Sequence, residues 1–185
     1  MNPVNIERVR GDLPGGYEVA DIRGAGSPLT FWGFGPDWVA DPPQCGALAI
    51  PVNNGATTKG WSGSGPGGIV YAVVTGTPPA QVNLDPVLIA ECGQWTVAAG
   101  HTTGTVSLVA APQIDDAATV GMATATTTTV EGGTETSSQA HTYSAYLGDY
   151  LAFVTVVTDP GSPNPPLSQD FAAALLVKTV AALRG

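Results

Sequence analysis

From Val120 onward the chain runs as three segments suited to β-structure, joined by turns too short to cross a sheet. Val120 to Val130 is rich in threonine, and Gln139 to Tyr146 and Tyr150 to Thr158 follow it. The connections are Glu131-Gly132-Gly133-Thr134-Glu135 and Leu147-Gly148-Asp149. A parallel pairing needs a crossover of roughly a dozen residues or more, so neighbours joined this tightly pair antiparallel. Ile69 to Val74 is a further strand, and Tyr17 to Ile22 alternates as a strand does. Thr96 to Ala99 and Thr105 to Ala111 read as a hairpin turning near His101 to Gly104.

Helical signals are fewer. Asn2-Pro3 reads as a cap and first helical residue, with Ile6 and Val9 facing inward. Ser27-Pro28 opens a turn carrying Leu29, Phe31 and Trp32, and Pro43 to Ile50 is a short helix holding Cys45. Asp85-Pro86 starts another running to Cys92. Ser168 caps a last helix to Leu183, with Phe171, Leu175, Val180 and Leu183 on one face. Gly33 to Pro43, Asn53-Asn54-Gly55 and Ser62 to Gly68 read as irregular or turn segments, and Pro160 to Pro166 as a loop. No repeat of fixed period and no internal boundary divides the 185 residues. The expectation is therefore one α+β domain over 1–185: a central antiparallel β-sheet with helices packed on one side.

Charge excludes whole classes of function. Lys plus Arg is 6 against 15 Asp plus Glu, a net charge of −9, and no Lys or Arg lies between Lys59 and Lys178. Nucleic acid and anionic lipid headgroups both need basic side chains, so neither is an expected partner. Charged residues make up 11% of the chain, under half of the roughly 25% that is usual, and with so much threonine, serine, glycine and proline this leans toward export. Apolar stretches such as Ile69 to Val74 and Leu151 to Val157 are far short of a spanning helix. Met1-Asn2-Pro3 has no basic or apolar leader character, and the expectation is a mature fragment restarted with a methionine.

Several patterns invite chemistry. Gly63 to Gly68 spells G-x-G-x-x-G, but it precedes a strand, whereas a dinucleotide loop follows one and opens a helix. Gly60-Trp61-Ser62-Gly63-Ser64 falls one residue short of a nucleophile elbow, and a serine hydrolase would need His101 or His141 as its base. Those two histidines with Asp115 or Asp116 show no metal-ligand spacing, so no metal or cofactor is expected. Arg10-Gly11-Asp12 spells an adhesion tripeptide that arises readily by chance. Phe31, Trp32, Phe34 and Trp38 cluster within eight residues, with Trp61 and Tyr71 further on. Aromatics among glycines either plug a core or line an apolar cleft. The cleft candidates are Trp32, Phe34, Trp38, Trp61 and Tyr71. Cys45 and Cys92 fit one disulfide or two buried thiols.

Pro42 to Leu48 (PPQCGAL), Leu88 to Trp95 (LIAECGQW), Tyr146 to Val157 (YLGDYLAFVTVV) and the terminal FAAALLVKTVAALRG occur in an order that resembles the extracellular sensor domain of PknH-type serine/threonine kinases and related mycobacterial cell-envelope lipoproteins. The opening NPVNIERVRGDLPGGYEV and Phe31 to Cys45 look closest to an uncharacterised lipoprotein branch. The resemblance implies an antiparallel sheet with helices against it, a groove for an unknown ligand, export with a lipid anchor outside this chain, and pairing of Cys45 with Cys92. Kinase sensor domains carry two disulfides, and this chain has cysteines for one. No kinase signature is present. The leading expectation is an exported, non-enzymatic, monomeric ligand-binding domain of the mycobacterial cell envelope, with a neutral or apolar small ligand. A protein-interaction module of the envelope is the alternative, and a serine hydrolase on Ser62 or Ser64 the third reading.

Overall fold

The computed structural model describes residues 1–22, 24, 26–50, 58–76 and 84–185. The turn-joined segments pair as their connections require. β7 (Ala118–Thr129), β8 (Glu135–Leu147) and β9 (Tyr150–Thr158) form a meander in which Thr129 faces Glu135 and Leu147 faces Tyr150. Gly148 supplies the positive φ that the two-residue β8–β9 turn needs. Upstream lie β1 (Glu18–Asp21), β2 (Val39–Asp41), β3 (Thr58–Gly65), β4 (Gly68–Gly76), β5 (Gln94–Ala99) and β6 (Thr102–Val109). Among the described residues all nine join one antiparallel sheet in the order β1-β3-β4-β9-β8-β7-β6-β5-β2. Its edges are its two shortest strands, both bearing carboxylates, which blunts edge-to-edge pairing.

Both faces are covered, each over a different half. On one face α3 (Gln169–Arg184) and a 3-10 helix at Pro3–Asp12 lie over β3, β4, β9 and β8. Leu175, Leu176, Val180 and Leu183 pack there with Ile6, Val9, Trp61, Val70, Val154 and Val156. The Trp61 indole Nε1 donates to the Ile6 carbonyl at 3.0 Å, so the bulkiest side chain of this layer also satisfies its polar atom. On the other face α1 (Pro28–Phe31), a second 3-10 helix (Pro43–Ala49) and α2 (Pro86–Glu91) enclose Leu29, Trp32, Phe34, Leu48, Trp95, Val97, Val106 and Met122. The Cys45–Cys92 disulfide ties the second 3-10 helix to the end of α2.

The α+β class and the central antiparallel sheet are as expected. The helices, expected on one side, divide between the two faces. Alternation along β8 demonstrates it: Tyr143, Ala145 and Leu147 meet the α3 layer, while Ala140 and Tyr146 meet the other. Ser62 to Gly68, expected as a loop, is largely strand. Its glycines are there for close approach: a Cβ on Gly63 would lie 2.6 Å from Leu13 Cδ1, and one on Gly65 2.6 Å from the Tyr17 ring. The turn expected near His101 to Gly104 falls at Gly100-His101, with β6 resuming at Thr102. Gly33 to Pro43, expected irregular, includes β2, and Asn53-Asn54-Gly55 lies outside the described residues.

Gly65→Ala is expected to displace Tyr17, whose Oη accepts from the Gly67 N–H at 3.2 Å, and to lower stability by about 1–3 kcal/mol in urea unfolding. Replacing Cys45 and Cys92 together with alanine is expected to cost roughly 2–4 kcal/mol, with reduced wild type unfolding at the same urea concentration as the double variant.

Candidate functional site

The five aromatic candidates do not share one cleft. Trp61 is buried under α3 and the N-terminal 3-10 helix. The other four lie on the opposite face. Trp32 is buried, donating from Nε1 to Thr142 Oγ1 at 2.9 Å, with its ring 6.4 Å from that of Trp95. Phe34 is buried beside Gly104, where a Cβ would meet its Cζ at 2.9 Å. Trp38 is half-buried against Gly46, and Tyr71 is half-buried and stacked on Phe31 at 4.2 Å. Three of the five therefore serve as core.

The staggered cover leaves part of the sheet bare. Two transverse rows mark it: Ser107–Ala123–His141 and Thr105–Ala125–Gln139, each crossing β6, β7 and β8. The first row continues onto β9 and β4 as Val156 and Val70, both fully buried beneath the α3 layer. Cover ends at His141. Beyond it these six side chains line an open hollow of about 300 Å³. The two alanines on β7 keep its floor low, and the hydroxyls of β6 face the amide and imidazole of β8 across it. Among the described residues no charged side chain lines it.

His141 is half-buried. Its Nδ1 is shielded from solvent and has no hydrogen-bond partner among the described residues. Burial holds its pKa below the ordinary histidine value. Tyr143, two residues along the same face, has its phenol pushed up by burial and, after that, by the Asp170 charge. Both groups are therefore neutral at pH 7.

The remaining sequence patterns are placed elsewhere. Ser62 stands in register with Tyr71, Thr155 and Thr142, on the face opposite His141 and three strands away, about 14 Å by strand spacing. Ser64 shares its face, and His101 is exposed at the β5–β6 turn. The geometry of a serine–histidine pair is not met. Arg10 pairs with Glu7 and Asp21, and Asp12 with Lys178 at 2.5 Å, so the charged ends of the adhesion tripeptide are engaged within the chain. Among the described residues no three potential metal ligands cluster, and no helix is long and apolar enough to cross a membrane. Sequence reasoning weighed His141 only as a base or a metal ligand and passed over Thr105, Ser107, Ala123, Ala125 and Gln139. The available signal was alternation: Ala123 and Ala125 interleave with Met122, Thr124 and Thr126, marking one face of β7 as small and the other as core.

Solved structures share the fold, among them two from mycobacteria. An uncharacterised protein of Mycobacterium smegmatis, the Rv0999 ortholog, superposes with a TM-score of 0.75 over 100% of this chain and 97% of that one, at 21% identity. The extracellular domain of PknH from Mycobacterium tuberculosis superposes with a TM-score of 0.57 over 100% and 92%, at 13% identity. No curated protein matches the sequence significantly. The profile of a domain of unknown function, DUF5642, matches residues 2–184, and by that near-complete match the chain belongs to the DUF5642 family.

Proposed function

We propose that residues 1–185 form a single exported, non-enzymatic, sensor-like domain that binds a neutral small ligand in the β6–β7–β8 hollow. The observation that carries this reading is the pair of bare rows, Ser107–Ala123–His141 and Thr105–Ala125–Gln139, where cover stops and uncharged hydrogen-bonding side chains surround a floor of methyl groups. Pockets of this kind, concave with a few convergent polar groups, are the usual form of a small-molecule site. The fold shared with a kinase extracellular domain supports a sensor-like role. The Cys45–Cys92 disulfide supports a location outside the cytoplasm, since such bonds persist in oxidising compartments. On this reading the chain is a monomer of the mycobacterial cell envelope, held to the membrane only by a lipid anchor outside residues 1–185. A net charge of −9 and uncharged walls disfavour an anionic ligand. The protein-interaction alternative has less support, because it rests on an exposed aromatic patch and Trp32, Phe34 and Trp61 are buried. Separation of Ser62 and Ser64 from His141 speaks against the hydrolase.

The environment of His141 gives the site one defined polarity. A proton on Nδ1 would be a buried donor without an acceptor, which is rarer in proteins than an unpaired acceptor. The neutral ring therefore carries its hydrogen on Nε2 and presents a donor. Protonating the ring puts an unpaired N–H on Nδ1, which acts in the same direction as the depressed pKa.

Two outcomes follow. As pH falls from 7.5 toward 5, the unfolded chain takes up the histidine proton that folded His141 resists, so stability declines below about pH 6.5, and His141→Gln flattens that slope in urea titrations. Parallel slopes would contradict the assignment. For the site, the chain recovered from a mycobacterial host is expected to show a native mass above its denatured mass by one discrete increment. Ala123→Leu, which fills the floor, removes the increment, and Trp38→Ala, on the other face, keeps it. Retention by Ala123→Leu would overturn the proposed site.

A further inference from the structure

Resting on the binding role just proposed for the hollow, the geometry points to the class of its ligand: an uncharged polyhydroxylated ring, the chemistry of a neutral sugar. Backbone recognition is closed off first. Across the hollow β7 is paired on both sides, with β6 from Gly121 to Thr128 and with β8 from Ala118 to Thr129, so the N–H and C=O groups of Ala123 to Ala125 are committed to two ladders. An extended peptide reads a sheet through free edge groups, and none is available here. Recognition falls to four side chains: Thr105, Ser107, Gln139 and His141.

Their chemistry selects the partner. Each hydroxyl both donates and accepts, the Gln139 amide does the same through separate atoms, and His141 donates from Nε2. A ligand satisfying all four must offer donors and acceptors side by side, as hydroxyl groups do. A wholly apolar ligand would desolvate these groups without replacing their hydrogen bonds, which is unfavourable. A carboxylate or ammonium would enter with no counter-charge among the lining residues. The floor agrees: the methyls of Ala123 and Ala125 suit the C–H face of a saturated ring.

Width limits size. The β6 and β8 backbones that carry the walls stand two strand spacings apart, about 9.6 Å. One six-membered ring fits across, with a second accommodated only along the strands. The volume of about 300 Å³ is at the small end for a ligand site, in keeping with one or two such rings.

The test uses the isotopically labelled chain with named probes: methyl α-D-glucopyranoside, methyl α-D-galactopyranoside and D-xylose, against D-glucuronate and 1-hexanol. At least one neutral sugar is expected to shift the backbone amides of Thr105, Ser107, Ala123, Ala125, Gln139 and His141, while glucuronate and hexanol leave them in place. Gln139→Ala, an exposed position, is expected to weaken that binding by about tenfold. Ala125→Leu, also exposed, is expected to abolish it. Shifts of the same amides by hexanol or glucuronate but by no sugar would overturn the ligand class and leave the binding role standing. Silence of these amides toward every probe would also overturn the class, and the retained mass of Ala123→Leu would then judge the binding role separately.

Discussion

The pairing of β4 with β9 is the contact on which the rest of the structure depends. It sets Ile69 to Gly76 against Tyr150 to Val157 in an eight-residue antiparallel register, and so joins the early β3–β4 hairpin to the late β7–β8–β9 meander. Without it the chain would be two smaller sheets, each with a long open edge. The pair is also where both layers meet: Val70, Ala72, Val154 and Val156 face α3, while Val73 and Phe153 face the opposite side beneath Phe31. The seam is therefore buried on both faces. That explains why β4 and β9 carry apolar residues on both faces, at Ile69 to Val74 and at Leu151 to Val157 with Thr155 the single break.

Threonine replaces charge as the polar element of this sheet. Oγ1–Oγ1 contacts bridge adjacent strands at Thr142–Thr155 (2.9 Å), Thr102–Thr128 (3.0 Å) and Thr58–Thr75 (3.1 Å). The first lies in the core, where Thr142 also accepts from Trp32, so a buried indole and two buried hydroxyls satisfy one another. Threonine favours extended backbone and can share a hydrogen bond across strands without the desolvation penalty of a buried charge. The hollow at His141, lined by uncharged side chains among the described residues, is where the surface of such a sheet is left open.

The strands between Ile69 and Thr158 were legible because their signals are local: β-branched runs closed by short glycine turns. All the described helices but Pro43–Ala49 were legible from caps, and Asn2, Ser27, Asp85 and Ser168 each accept a backbone N–H at the positions expected. β3 was not legible, because the glycines that read as a loop exist to admit Leu13 and Tyr17, partners 50 and 48 residues away in the chain. The division of helices between the faces was not legible either. It depends on which face of β8 meets α3, a long-range choice that alternation alone does not decide. The disulfide came from resemblance rather than from spacing, and the structure places both cysteines in one buried layer.

The aromatic residues and the hollow differ in how plainly a sequence displays them, for one physical reason. Large rings announce themselves in a sequence whether they fill a core or line a site, and here the second layer, built from short helices, needs Trp32 and Phe34 to reach the sheet, where Trp95 of β5 meets them. A recognition surface made of alanine, serine, threonine and glutamine carries no such signal. Its residues are ordinary one by one, and they become a site only because β6, β7 and β8 are in register and α3 covers the sheet no further than His141. What marks the place is the exception within it: a half-buried imidazole with one nitrogen shielded and unpaired, at the line where a packed core gives way to an open face. In a chain with only two histidines and few charges, that position is the one on the bare face where polarity is set by the fold rather than by solvent.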